Sequence, residues 1–255
     1  MLPWISRYAL LLSGPRRTPL FDRHLAFLLV VIAGALNSVG FVVVGLYTSH
    51  MTGVTASAAD NIVTANWGMV GAGVLSIVFF VLGAMSCTVL FTWGRRRRLS
   101  SRYANVLTLE GLLILLMGLF AGTVDGPGYE EVLVAPLCFT MGLQNALITK
   151  IRDFPVRTTH VTGMVTDIAV ELGRLVYRNG DQVGVTADKE KLGVLSTLVG
   201  LFFVGGVVGT LGYWWLGLNV LMVGACLILL ASLPPVLRDA LGRGTRFTQR
   251  VRVST

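Results

Sequence analysis

Ser49-His50-Met51-Thr52-Gly53 and Thr159-His160-Val161-Thr162-Gly163 are two copies of one motif. Each follows a hydrophobic stretch carrying Gly-x-x-Asn, namely Gly34-Ala-Leu-Asn37 before the first and Gly142-Leu-Gln-Asn145 before the second. The copies lie 108 residues apart at the asparagines and 110 at the histidines, so one short gap aligns them. Further matches follow in the same order: Gly73-Val-Leu-Ser76 against Gly193-Val-Leu-Ser196, Asn105-Val-Leu107 against Asn219-Val-Leu221, and Leu113-Ile-Leu-Leu116 against Leu227-Ile-Leu-Leu230. Ordered blocks of this kind mark an internal duplication.

The medium in which the duplicated halves fold is set by composition. Hydrophobic residues make up 54% of the 255 residues, charged residues 13%, and the mean hydropathy is +0.73. This is the make-up of a chain whose partner is a lipid bilayer. Apolar runs long enough for a hydrocarbon core about 30 Å thick lie near residues 25–46, 69–93, 192–212 and 214–233. Two more, near 103–122 and 131–149, contain Glu110 and the Gln144-Asn145 pair. Six membrane spans are expected.

The net charge of +8 does not point to nucleic acid, because the basic residues sit beside the ends of the apolar runs. Arg16, Arg17 and Arg23 precede the first run, Arg95 to Arg98 follow the second, and Lys150, Arg152 and Arg157 follow the run at 131–149. Arg238, Arg243, Arg246, Arg250 and Arg252 fill the tail, while the complementary loops carry Asp125, Glu130 and Glu131 or no charge. Lys and Arg are retained on the cytoplasmic side, so both termini are expected there. Four segments result: a cytoplasmic N-terminal stretch 1–24, a first membrane repeat 25–122, a second membrane repeat 131–233 and a basic cytoplasmic tail 234–255.

Three spans per half is an odd number, so the second half enters the membrane from the opposite side. The expected fold is therefore an all-α membrane protein of about six transmembrane helices arranged as two inverted three-helix repeats. Each repeat has an additional short re-entrant or interfacial helix after its His-x-Thr-Gly motif, over 50–66 and 160–177. In the second copy Val165, Ile168, Ala169, Leu172 and Val176 alternate at helical spacing with Thr166, Asp167, Glu171 and Arg174, which gives one apolar and one polar face. A re-entrant helix would aim backbone N–H groups and Thr hydroxyls at a buried polar volume; an interfacial helix would lie flat. A third arrangement, in which both segments span, would bring Asp167, Glu171 and Arg174 into lipid at high cost.

Several chemistries lack their residues. Cys87, Cys138 and Cys226 fall within apolar runs and imply small packing residues rather than a disulfide framework. No His or Cys cluster offers the three or four ligands a zinc ion needs, so no metal and no cofactor is expected. The chain has no His-Glu-x-x-His, no Gly-x-Ser-x-Gly and no phosphate-binding glycine loop, and is not expected to be an enzyme.

The candidate site residues are the polar groups that the duplication places in equivalent positions. His50 and His160, with Thr52 and Thr162 beside them, would approach a pseudo-two-fold axis and contact a substrate or bind protons, since histidine titrates near neutral pH. The alternative is that each imidazole fastens a helix start. Asn37, Gln144 and Asn145 are amides within spans, placed either to meet a ligand or to join helices by hydrogen bonds, and Asp167 lies on the polar face after the second histidine. Glu110, the carboxylate inside an otherwise apolar run, aligns with Gly224 and is the candidate for proton coupling. Gly205-x-x-x-Gly209 and Gly83-Ala84 are expected to bring helices close together.

The string Gly142-Leu-Gln-Asn-Ala146 through Val156-Arg-Thr-Thr-His-Val-Thr-Gly163, continuing to Asp167 and Glu171-Leu-Gly-Arg174, resembles the YoaK-like family of bacterial membrane proteins, a domain of unknown function. Gly45-Leu-Tyr-Thr-Ser-His-Met-Thr-Gly53 is similar to the first copy of the motif in that family, although Val54-Thr55 stands where the family more often has Asn-Thr. The resemblance covers roughly residues 25 to 235. It implies a multi-pass protein of the bacterial inner (plasma) membrane and no particular activity.

Inverted halves with embedded polar groups are a recurrent design of secondary transporters. The expectation is a secondary transporter or channel-like permease for an unidentified small solute, with its polar site at the repeat interface. The competing expectation is a non-transporting membrane scaffold or sensor. Either is compatible with a homo-oligomer.

Overall fold

The computed structural model describes residues 2–14, 18–120, 129–151, 159–177 and 186–253. The loop around Asp125, and Arg16, Arg17, Arg152 and Arg157 of the charge argument, lie outside the described residues. Every regular element among the described residues is helical: α1 (Leu2–Ser13), α2 (Pro19–Val44), α3 (Met51–Val63), α4 (Trp67–Arg96), α5 (Arg102–Phe120), α6 (Tyr129–Ile148), α7 (Val161–Val176), α8 (Lys189–Leu216) and α9 (Val220–Val253). A 3-10 turn at Gly217–Asn219 joins α8 to α9.

Among the described residues, four helical stretches are long and apolar enough to cross a membrane: Pro19–Val44, Trp67–Arg96, Arg102–Phe120 and Lys189–Leu241. The last is 53 residues long and contains α8, the turn and much of α9. Gly217 interrupts it with a φ of +59°, a left-handed conformation suited to glycine. A shorter apolar segment, Val132–Ile148, lies in α6. Stripes such as Leu112, Leu116 and Leu119 on α5 or Val223, Leu227 and Leu230 on α9 are exposed. In water they would form a large apolar surface, whereas a bilayer solvates them.

Glycines bring the helices together. A side chain at Gly34 of α2 would run into the backbone of Phe202 in α8, and one at Gly205 of α8 into the backbone of Val31 in α2. Between α4 and α6 the same collisions recur, Gly142 against Phe80 and Gly83 against Phe139. A shift of 108 takes Val31 and Gly34 to Phe139 and Gly142; a shift of 122 takes Phe80 and Gly83 to Phe202 and Gly205. The two interfaces are thus one set of contacts made twice. Small residues at such crossings let backbones meet and gain dispersion contacts.

The shift of 122 also relates the helix starts. Asn66 caps α4 by accepting from the Met69 N–H, and Asp188 caps α8 by accepting from the Lys191 N–H at 2.9 Å. It relates the buried faces as well: Gly73, Ser76 and Gly83 on α4, Leu195, Leu198 and Gly205 on α8. The sequence block Gly73-Val-Leu-Ser76 therefore corresponds in space to residues 195–198, two places beyond Gly193-Val-Leu-Ser196. In apolar sequence a four-residue identity carries little register information; burial carries more. For α5 and α9 the sequence register of 114 agrees with burial, pairing Leu107 with Leu221 and Ile114 with Ile228.

Helix directions follow from contacts at different heights. The Gln144 amide of α6 donates to the Leu29 carbonyl of α2 at 2.9 Å, while Gly40, further along α2, faces Leu137, earlier in α6. These two helices are antiparallel. So are α5 and α9, where Thr108 bonds Ser232 at 3.0 Å and Gly118 faces Met222. At one end of the bundle Arg23 of α2 pairs with Glu190 of α8, and Asp239 of α9 accepts from the Ser100 hydroxyl and, at 2.8 Å, the Ser101 N–H. There too the Tyr103 hydroxyl donates to the Lys150 carbonyl at 2.8 Å. The starts of α2, α5 and α8 and the ends of α4, α6 and α9 share this end, which also carries Arg95 to Arg98.

Candidate functional site

Helix α2 stops at Gly45, whose φ of +71° and N–H to the Phe41 carbonyl at 2.9 Å form a left-handed cap. The chain then turns back along α2 instead of leaving it. Thr48 lies against Gly40, and Ser49 gives Asn37 Oδ1 two hydrogen bonds, from its N–H at 3.1 Å and its hydroxyl at 2.8 Å. Helix α3 thus starts beside Asn37, seven residues or about 10 Å short of the end of α2. It packs on α4, where Gly73 faces Val54 and Ala58.

The second copy is built alike. The Thr159 hydroxyl donates to Asn145 Oδ1 at 2.7 Å, and Asn145 Nδ2 donates to the Met141 carbonyl at 2.9 Å. Helix α7 then runs toward the start of α8. The duplicated asparagines have one shared task, accepting from the hydroxyl residue that precedes each histidine. Ser49 and Thr159 were not among the expected site residues, although a hydroxyl at the first motif position in both copies was the available signal.

Each histidine is the N-cap residue of its helix, and neither helix has a side-chain cap. The imidazole instead folds over the first turn. A methyl group at Gly53 would collide with the His50 ring, and one at Gly163 with the His160 ring, which explains the glycine three places after each histidine.

Both motifs open onto one cavity of about 1310 Å³. Its polar lining includes Asn37, Ser49, His50 and Thr52 from the first copy and Asn145, Thr159, His160 and Thr162 from the second. Phe80 and Ala84 of α4 and Phe202 and Gly206 of α8 also face it, and these pairs are related by the shift of 122. The wall then continues along α8 alone, through Phe203, Val207 and Leu211 to Trp214.

A family model described as protein of unknown function (DUF1275) matches residues 25–233. The chain belongs to this family. Its span is the one expected from the motif strings, and it takes in both copies of the motif and every cavity-lining residue. No curated protein and no solved structure matches the chain.

Of the residues singled out in this DUF1275 chain, the structure brings Asn37, His50, Thr52, Asn145, His160 and Thr162 together. Three others lie elsewhere. Gln144 is fully buried and joins α6 to α2 through Leu29. Glu110 is fully buried in α5, and neither carboxylate oxygen has a hydrogen-bond partner among the described residues. Asp167 is half exposed, 3.7 Å from Lys191.

Lys191 also reaches Glu171, at 3.6 Å, and it is Glu171 that fixes α7. Its buried carboxylate accepts from the Asp188 N–H at 3.0 Å and from Arg174 at 2.9 Å. The Asp188 backbone, then Arg174 and Lys191, hold it below the ordinary carboxylate range against the opposing effect of its burial. Among the described residues no group of three or more His, Cys, Asp or Glu side chains is placed to hold a metal ion.

Proposed function

We propose that the chain is a secondary transporter or channel-like permease for a small solute, and that the cavity between the two motif copies is its pathway. The carrying observation is that the cavity is lined in matched pairs from both halves, Asn37 with Asn145, His50 with His160 and Thr52 with Thr162. A scaffold needs no polar cavity shared by both halves.

On this reading six helices cross the membrane (α2, α4, α5, α6, α8 and α9) and the halves are inverted repeats. The antiparallel course of α2 against α6 and of α5 against α9 supports that arrangement, as does the exchange of the glycine contacts. Helices α3 and α7 are the re-entrant elements, each starting beside an asparagine within a longer helix. The Arg-bearing end of the bundle is the cytoplasmic face by the retention of Lys and Arg inside, which puts the basic tail there. The membrane is the bacterial inner membrane.

Proteoliposome shrink-swell light scattering with a panel of small neutral and acidic solutes tests the proposal. At least one solute should re-enter faster than in empty liposomes, and Ala84→Trp, which fills the cavity, should abolish the difference while the protein remains monodisperse. Rates equal to those of empty liposomes across the panel would favour the scaffold or sensor.

A further inference from the structure

The cavity's lining has a chemical bias. Among the described residues its lining holds neither a carboxylate nor a Lys or Arg side chain, and its titratable groups are Tyr47, His50 and His160. Neither a cation nor an anion meets a fixed counter-charge in this lining, so hydrogen bonding decides between them. Hydrogen-bond donors are plentiful: the Thr52 and Thr162 hydroxyls and two imidazoles. Neither imidazole has a hydrogen-bond partner among the described residues.

The first turns of α3 and α7 reach the same chamber from the two halves, through Met51 and Thr52 and through Val161 and Thr162. Helix starts carry a partial positive charge, so the backbone reinforces the side-chain bias. Much of the remaining lining is apolar. Phe80, Phe202 and Phe203 flank it, and Val199, Phe203, Val207 and Leu211 form a row at four-residue spacing on α8.

Resting on the transport reading, we propose that the solute is an organic monoanion: a compact acidic group seated between His50, Thr52, His160 and Thr162, with an apolar body against the Phe80, Phe202 and Phe203 wall. The acidic group accepts hydrogen bonds that a cation cannot, and the apolar body distinguishes the solute from an inorganic anion.

Isothermal titration calorimetry on the purified chain with benzoate, benzamide, benzylammonium and acetate tests this. Benzoate should bind about tenfold more tightly than benzamide, the scale expected from a charge at a helix start, and more tightly than the other two probes. Thr52→Val with Thr162→Val should remove the preference for benzoate over benzamide without unfolding the protein, as monitored by circular dichroism. Benzamide or benzylammonium binding as tightly as benzoate would overturn the anion assignment. Acetate binding as tightly would overturn the apolar body, and no binding by any probe would overturn the proposal. The light-scattering panel decides the transport reading independently of these outcomes.

Discussion

The imidazole of His50 lies over Gly53 so closely that a single methyl group on that glycine would strike it, and His160 stands in the same relation to Gly163. The motif His-x-x-Gly is therefore one steric unit in each half. Gly53→Ala should displace the His50 ring while leaving α3 folded, because alanine is the better helix former by about 1 kcal/mol. Histidine side-chain NMR signals should shift in each single variant and solute flux should fall. An unchanged His50 signal in Gly53→Ala would dissolve the unit.

The asparagines act through Ser49 and Thr159. Asn37→Ala leaves two donors of Ser49 unmatched and should cost about 1–3 kcal/mol. Asn145→Ala removes the bond from Thr159 and the one its Nδ2 gives the Met141 carbonyl, but leaves a single donor of Thr159 unmatched, and should cost less. In a double-mutant cycle, Asn37→Ala and Ser49→Ala should be non-additive, as expected for directly bonded residues. Thermal unfolding in detergent measures both effects, and additivity would separate the two side chains.

Glu110 lies away from the cavity, so the proton-coupling role suggested by its place in an apolar run gains no support from the lining. Glu110→Gln keeps its shape and should leave flux through the cavity within about twofold, as for a substitution remote from the site. Loss of pH-gradient response in Glu110→Gln vesicles would restore the coupling role.

Glu171 ties α7 to the start of α8 as a carboxylate. Its folded pKa is lowered from the ordinary 4.5, so its contribution is complete above that value and is lost as pH falls through the lower folded value. Acidification into this range should raise hydrogen exchange in the second half of α7, and Glu171→Gln should raise it already at neutral pH. Exchange insensitive to both would leave α7 held by other contacts.

Much of this was legible in sequence because the duplication carries its own control. Asn37 and Asn145, His50 and His160, and Thr52 and Thr162 announced themselves as matched polar residues in apolar surroundings, and all six line one cavity. Register within α4 and α8 was not legible, since Gly73-Val-Leu-Ser76 can slide by two residues in apolar sequence and only burial fixes it. Gln144 was indistinguishable from Asn145 by type, yet it faces Leu29 and its neighbour faces the cavity. One residue along a helix is a turn of about 100°. Phe80, Phe202 and Trp214 were missed because an aromatic wall looks like any other apolar span until the helices are placed around it.

On the transport reading the two motif copies, attached to oppositely directed helices, share one water-accessible chamber. Single cysteines at Thr52→Cys or Thr162→Cys, in a chain with Cys87, Cys138 and Cys226 replaced by serine or alanine, test it in sealed vesicles with a small membrane-impermeant thiol reagent. Reagent added on one side only should modify both positions, and benzoate should slow both reactions. If each position reacts only from a different side, or neither reacts, the shared chamber does not exist and the cavity is not a pathway.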